Sequence, residues 1–182
     1  MATACVLLAN GFEEIEAVTV IDVLRRGGVE CTVVGVGTRA PTGSHAITVT
    51  ADVAIDDLGE GATWDVVVLP GGMPGATTLR DDPRVQALVR RQHDRGGALA
   101  AICAAPIALA PAGVLAGRRV TSYPGFLPQL GDVDYVEDEV VTDGGLVTSR
   151  GAGTAMAFAL ALVERLRGRE VARDVGARML VR

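Results

Sequence analysis

Ala98-Leu99-Ala100-Ala101-Ile102-Cys103-Ala104-Ala105-Pro106 is the stretch whose reading decides the fold. An apolar run of strand length leads into Cys103, and small residues with a proline follow, which suits the first turn of a helix, where a missing N–H costs nothing. The stretch predicts strand, sharp turn and helix, the helix running to about Ala110. A cysteine at such a corner sits beside unpaired backbone N–H groups and the positive end of a helix, and both favour thiolate over thiol. The same turn presents the nucleophile of serine hydrolases. On these residues alone, a small core residue ending a buried strand stands as the alternative.

Composition limits the setting. The 182 residues suit one domain, 1–182, with a full core. Apolar residues make up 49% and charged ones 21%, and no uninterrupted apolar run is long enough to cross a bilayer, so a soluble globular protein is expected. Strand-like sequence begins almost at the N-terminus, with no basic leader ahead of an apolar segment, which predicts a cytoplasmic location. Three widely spaced cysteines, Cys5, Cys31 and Cys103, suggest neither a disulfide framework nor a zinc site. A formal charge of −5 argues against nucleic acid as the main partner.

Two absences are informative. All 17 basic residues are arginine, so Schiff-base lysines and the P-loop lysine are excluded. Both histidines, His45 and His93, precede Cys103, which rules out a triad whose histidine follows the nucleophile.

Outward from Cys103 the chain alternates. Ala4–Ala9 reads as a central parallel strand. Glu13–Arg26 reads as a helix with Ile15, Val18, Ile21, Val23 and Leu24 at helical spacing and Gly27-Gly28 beyond its end. Glu30–Val36 is a second strand, and Pro41–Ile55 holds a short hairpin or edge pair around Ile47-Thr48-Val49-Thr50. Asp65–Leu69 is a buried strand closed by Pro70-Gly71-Gly72-Met73-Pro74-Gly75. A helix follows over about Asp82–Arg95, with Asp82 as N-cap and Pro83 at the first position. Beyond the Cys103 unit lie short strands at 120–122, 135–136 and 140–142, a core strand at Leu146–Ser149, a helix over Gly153–Arg167 and a docking helix in the tail from Arg169.

Apolar strands alternating with helices predict an α/β sandwich with a mostly parallel sheet, whose functional cleft lies at the carboxyl ends of the strands. Asn10-Gly11-Phe12-Glu13-Glu14, Pro70-Gly71-Gly72 and Cys103 all fall at such ends, and that convergence favours the nucleophile reading.

The strings GFEEIEAV, VVVLPGGMPGA, AAICAAP and TSRGAGT, in this order and spacing, resemble the DJ/ThiJ/PfpI superfamily, in the branch that holds the parkinsonism-associated protein and bacterial ThiJ-like relatives. The resemblance spans essentially the whole chain. It implies a flavodoxin-like three-layer sandwich with a cysteine nucleophile elbow, a homodimer, and a helix-1 glutamate facing the cysteine. Residue by residue, the nucleophile falls on Cys103, the acid on Glu16, and the N–H groups near the sulfur on Gly71, Gly72 and Ala104. Glu16 held protonated in an apolar pocket can donate to the thiolate and then shuttle a proton. Glu13 and Glu14 are expected to supply the helix's polar face.

Where relatives carry a Thr-His-Pro type string, this chain has Ser122-Tyr123-Pro124, so no imidazole is expected beside the sulfur and Tyr123 becomes a possible pocket residue. Ala104 stands where the protease-like branch has histidine, which counts against peptidase activity. His45 lies in the segment that lends a basic residue to the partner's site in the nearest relatives, and is a second possible pocket residue; His93 reads as solvated. The resemblance implies a glyoxalase III type enzyme acting on methylglyoxal or glyoxal, with related deglycase activity. The alternatives are a redox-responsive or chaperone-like stress protein in which Cys103 oxidises to a sulfinate, and a hydratase of another small electrophile such as an isonitrile. The Cys103 and Glu16 chemistry needs no cofactor and no metal, and the partners expected are a small aldehyde and a second copy of the chain.

Overall fold

The computed structural model describes residues 1–59 and 61–181. Strands β1 (Thr3–Ala9), β2 (Glu30–Val36), β3 (Val53–Ala54), β4 (Val66–Leu69) and β5 (Ala98–Ile102) run parallel to their neighbours. Helices α1 (Glu14–Arg26), α2 (Gly75–Asp81) and α3 (Pro83–Asp94) fall between them. Short strands β6 (Arg119–Val120) and β7 (Asp134–Tyr135) pair separately. Strands β8 (Val140–Asp143) and β9 (Leu146–Ser149) form a hairpin, and helices α4 (Ala155–Arg167) and α5 (Arg169–Arg178) close the chain.

The main sheet has the order β3-β2-β1-β4-β5-β9-β8, parallel throughout except for the β8 edge. This is the α/β, flavodoxin-like sandwich that the sequence implies. Strand side chains alternate between two cores, as a sheet covered on both faces requires. Ala4, Val6 and Leu8 pack with α1, α4 and α5, while Cys5, Leu7 and Ala9 pack with α2, α3 and the segment after Cys103. Cys5 and Cys31 are buried on opposite faces of the sheet. The chain leaves β1 in one direction to β2 and β3, then crosses to β4 on the other side. The carboxyl ends of β1 and β4 therefore flank a crevice at the point of reversal.

Four sequence expectations change. The residues after Cys103 form 3-10 turns at Ala105–Ala108 and Ala110–Ala112 in place of an α-helix; Pro106 falls in the first turn, where its missing N–H costs nothing, but Pro111 would fall inside an α-helix, where it lacks the N–H that the hydrogen-bond ladder needs. Helix α1 is rotated relative to its apolar spacing: Ile15 and Val18 are exposed, whereas Glu14 and Glu16 are buried with Ala17, Val20, Ile21, Val23 and Leu24. Thus Glu14 does not supply the polar face. Helix α2 falls where only a turn was expected, and β3 adds a parallel edge beyond the Thr42–Thr48 bridge of the expected hairpin. Asp82 caps α3 as expected, accepting from the N–H groups of Arg84 and Val85.

The loops leaving β1 and β4 touch backbone to backbone. Glu13 N–H donates to Gly71 O at 2.9 Å, and Gly11, at φ +83°, donates to Thr42 O at 2.8 Å. A Cβ on Gly11 would land in the Pro74 ring, 2.7 Å from its nitrogen. Gly11→Ala is expected to cost about 2–4 kcal/mol, from the left-handed φ and the overlap together. Urea unfolding should show a lower midpoint at unchanged m-value.

Candidate active site

Helix α1 starts at the crevice because Glu13 caps it: Glu13 Oε1 accepts the Ile15 N–H at 3.4 Å and Glu13 O accepts the Ala17 N–H. The third helical residue, Glu16, then points inward and is fully buried. Its Oε2 accepts the Gly71 N–H at 2.7 Å. Oε1 makes no hydrogen bond, and the carboxyl group lies close enough to the Cys103 thiol for each to shift the other's titration.

Cys103 ends β5 with φ +62°, a left-handed conformation that costs an L-residue about 1–2 kcal/mol. Two backbone hydrogen bonds hold it there: Cys103 N–H donates to Ser149 O and Tyr123 N–H donates to Cys103 O, both at 2.9 Å. The turn lifts the side chain off the sheet and into the crevice, where it is partly exposed and packs against both cores. A non-glycine residue at positive φ, fixed from two sides, is a common signature of a functional position.

Burial raises the Glu16 carboxyl to about 7, against the opposing pull of the Gly71 N–H and the thiol. Burial, and then the charge of Glu16, pushes the Cys103 thiol up to about 12, while the N–H groups of Ala104 and Gly72 pull it down. Burial and the charge of Glu16 thus outweigh the N–H groups of the elbow at the sulfur. The charge of Glu16 opposes ionisation of the thiol, whereas the thiol, as a hydrogen-bond donor, favours the Glu16 carboxylate. A proton on Glu16 removes the repulsion and turns the carboxyl into a donor to sulfur.

The remaining expected site residues divide. Gly72 and Ala104 direct N–H groups at the sulfur. The Gly71 N–H is committed to Glu16, so its role is to hold the acid; a Cβ there would sit 2.7 Å from Cys103 Cβ and 2.8 Å from Glu16 Oε2. Tyr123 is half exposed, tied to Cys103 by its backbone, with its ring edge-on to Phe126 and over Gly151. None of the hydrogen bonds of His45 reaches Cys103 or Glu16; its ring pairs with Glu14 at 3.0 Å and with Ser44 at 3.1 Å. Ser149, whose carbonyl fixes the elbow, escaped the sequence reading, although its place at the end of the last core strand was a usable signal. Among the described residues, Glu13, Glu14 and His45 are the one group whose donor atoms converge as metal ligands do.

The DJ-1/PfpI family model matches residues 2–165. Protein dj-1beta of Drosophila melanogaster is 44% identical over 98% of this chain and 97% of its own length, and the Danio rerio Parkinson disease protein 7 homolog is 41% identical over the same shares. A Caenorhabditis elegans protein named glutathione-independent glyoxalase DJR-1.2 is 37% identical over 87% of this chain and 84% of its own. Among solved structures, Drosophila melanogaster DJ-1beta superposes with a TM-score of 0.95 at 43% identity, covering 100% of this chain and 98% of its own. The oxidized form of Toxoplasma gondii DJ-1 superposes with a TM-score of 0.94 at 37% identity, covering 99% and 98%. Among the described residues no helix is long and apolar enough to cross a membrane. With a family match across nine-tenths of its length and relatives above 40% identity from end to end, the chain belongs to the DJ-1/PfpI family.

Proposed function

We propose that this protein is a cofactor-independent glyoxalase that converts methylglyoxal or glyoxal to the hydroxy acid. The observation that carries this reading is the Cys103 thiol, partly exposed in the crevice, beside the buried Glu16 carboxyl, which burial raises to about 7 so that it exchanges a proton near neutral pH. A relative that is a glyoxalase by name supports the class of reaction.

The chemistry rests on the two seats of that proton. With Glu16 protonated, the Cys103 sulfur adds to the aldehyde carbon, and the new oxyanion takes a proton to give a hemithioacetal. Gly72 and Ala104 N–H groups offset negative charge at the sulfur end of the crevice. Glu16, now a carboxylate, removes the proton from the former aldehyde carbon, and the enediol is reprotonated on the adjacent carbon to leave a thioester. Water hydrolyses the thioester to the hydroxy acid and the free thiol. The sum is methylglyoxal plus water giving lactate, an internal redox change that requires no external oxidant. Deglycase activity would use the same addition to a carbonyl carbon.

A second reading has an observation of its own. The sulfur faces Glu16 and two N–H groups, a set that also suits a sulfinate formed by two-electron oxidations with peroxide. The oxidized Toxoplasma gondii relative keeps the same fold.

We also propose a homodimer formed through α1 and the 41–48 hairpin, because Ile15 (57% exposed), Val18 (47%) and Ile47 (56%) lie uncovered there. Such residues on a helix rotated to bury its carboxylates mark a contact surface. Val18→Arg is expected to convert a dimer into a monomer in light scattering at micromolar concentration, and a wild-type monomer would refute the assembly.

Purified protein with methylglyoxal should yield lactate. Cys103→Ser should abolish the yield, and Glu16→Gln should lower turnover by about a hundredfold or more while the fold is retained. Sulfinate formation under mild peroxide without any lactate would favour the second reading.

Because Glu16 is raised from 4.5 to about 7, both seats are protonated in mild acid and one proton leaves as pH rises through 7. Labelling of Cys103 by iodoacetamide should therefore climb to a limb near pH 7 and flatten. The limb should vanish in Glu16→Gln, where sulfur titrates alone. A wild-type rate that climbs unbroken into the alkaline range would exclude the shared proton.

A further inference from the structure

At the start of α1 a second cluster of ionisable side chains meets the 41–48 hairpin, and the glyoxalase reading leaves it unused. Both carboxylates in it are divided between backbone and cluster. Glu13 Oε1 accepts the Ile15 N–H, and Glu14 Oε1 accepts the N–H groups of His45 and Ile47 at 2.7 and 3.3 Å. Fixed in this way, the Oε2 atoms of Glu13 and Glu14 turn toward the point where His45 Nδ1 and Ser44 Oγ also converge. Outer contacts that orient the donor atoms are the usual support of a metal ligand set.

The spacing fits one ion. His45 Nδ1 lies 3.0 Å from Glu14 Oε2 and 3.6 Å from Glu13 Oε2. Ser44 Oγ lies 3.1 Å from His45 Nδ1, 3.4 Å from Glu14 Oε2 and 3.5 Å from Glu13 Oε2. A tetrahedral ion with nitrogen and oxygen donors at about 2.0–2.1 Å places those donors roughly 3.3–3.4 Å apart. The measured edges bracket that value on both sides.

Charge supplies an independent argument. The side chains of Glu13 and Glu14 are only 15% and 6% exposed, and among the described residues no arginine lies within ion-pair distance of either, although the chain has 17. Their one ion-pair partner is His45, whose ring is 69% exposed. Within one chain, two largely buried carboxylates facing one imidazole leave a deficit of positive charge that the helix terminus, worth about half a charge, does not fill.

We propose that Glu13, Glu14 and His45, with Ser44 at the fourth corner, form a binding site for a divalent transition-metal ion of the zinc type. Imidazole with carboxylate donors at tetrahedral spacing suits Zn²⁺ or its substitute Co²⁺, whereas Ca²⁺ and Mg²⁺ call for six or more oxygens. Binding displaces any proton from His45 Nδ1 and leaves that nitrogen as a ligand. The site is separate from Cys103, and its existence does not depend on the glyoxalase reading.

Titration of CoCl₂ and ZnCl₂ into wild-type protein and into Cys103→Ala tests the assignment, since the second protein lacks the sulfur that competes for soft metals. The expected result is one ion per chain in both, with the intense visible bands of tetrahedral Co²⁺. Affinity should fall by about tenfold or more in Glu13→Gln, which keeps an oxygen for the Ile15 N–H, and in His45→Ala. His45→Gln, which retains a donor to Glu14, replaces His45→Ala if circular dichroism shows the latter unfolded. Absence of saturable one-to-one uptake, uptake lost on removing Cys103 alone, or uptake unchanged in the Glu13 and His45 variants would each overturn the proposal.

Discussion

The hydrogen bond from the Gly71 N–H to Glu16 Oε2, 2.7 Å long and wholly buried, joins the loop after β4 to the first turn of α1. A carboxyl group that far from water needs at least one such donor, because an unpaired polar group in the interior costs several kcal/mol. The bond satisfies one oxygen and holds the carboxyl beside the Cys103 thiol. It works only because the two loops approach backbone to backbone, with Glu13 N–H on Gly71 O beside it. The crossing of the chain from the β1–β2 side of the sheet to β4 brings those loops together, so the site depends on the topology as much as on its residues.

The elbow is held in a different way. Cys103 takes up a left-handed φ that its own residue type disfavours, and the Ser149 carbonyl and Tyr123 N–H stabilise it from two strands' ends. Local strain is offset by hydrogen bonds to distant parts of the chain. Proline at 111, inside the span of an α-helix begun at the elbow, leaves the segment beyond it as 3-10 turns. The sulfur is governed by its burial and by Glu16, whose charge raises the thiol.

The rotation of α1 links this site to the molecule's surface. Turning Glu14 and Glu16 inward turns Ile15 and Val18 outward. Burial of Glu16 raises its carboxyl to about 7, whereas Glu14, nearer the surface, is held at about 2 by the hairpin's N–H groups and His45. Two glutamates two residues apart thus differ in affinity for a proton because one lies deeper with one N–H donor and a thiol, while the other lies shallower and faces several donors. Glu13 adds to the contrast, since its charge raises Glu16 further.

Much of this molecule is legible in the sequence because it is written in local terms. Apolar runs such as Ala4–Ala9 and Ala98–Ile102 mark doubly covered strands, Asp82-Pro83 marks the start of a helix, and the corner at Cys103 is visible from the run that ends there. The carboxyl ends of the strands, and so the meeting of Cys103 with the loops after β1 and β4, follow from the alternation of elements. Beyond the reach of sequence lie quantities set by residues distant along the chain. Of the three carboxylates in Glu13-Glu14-Ile15-Glu16, which are buried depends on the phase of α1 against the hairpin and the sheet, and apolar spacing pointed to the wrong phase at Ile15 and Val18. Whether Cys103 favours thiolate depends on desolvation and on a carboxyl 87 positions earlier in the chain. Strand and helix identity come from contacts within a few residues, which the sequence states directly. Ionisation and orientation come from dielectric and donors assembled across the fold, which only the tertiary structure decides.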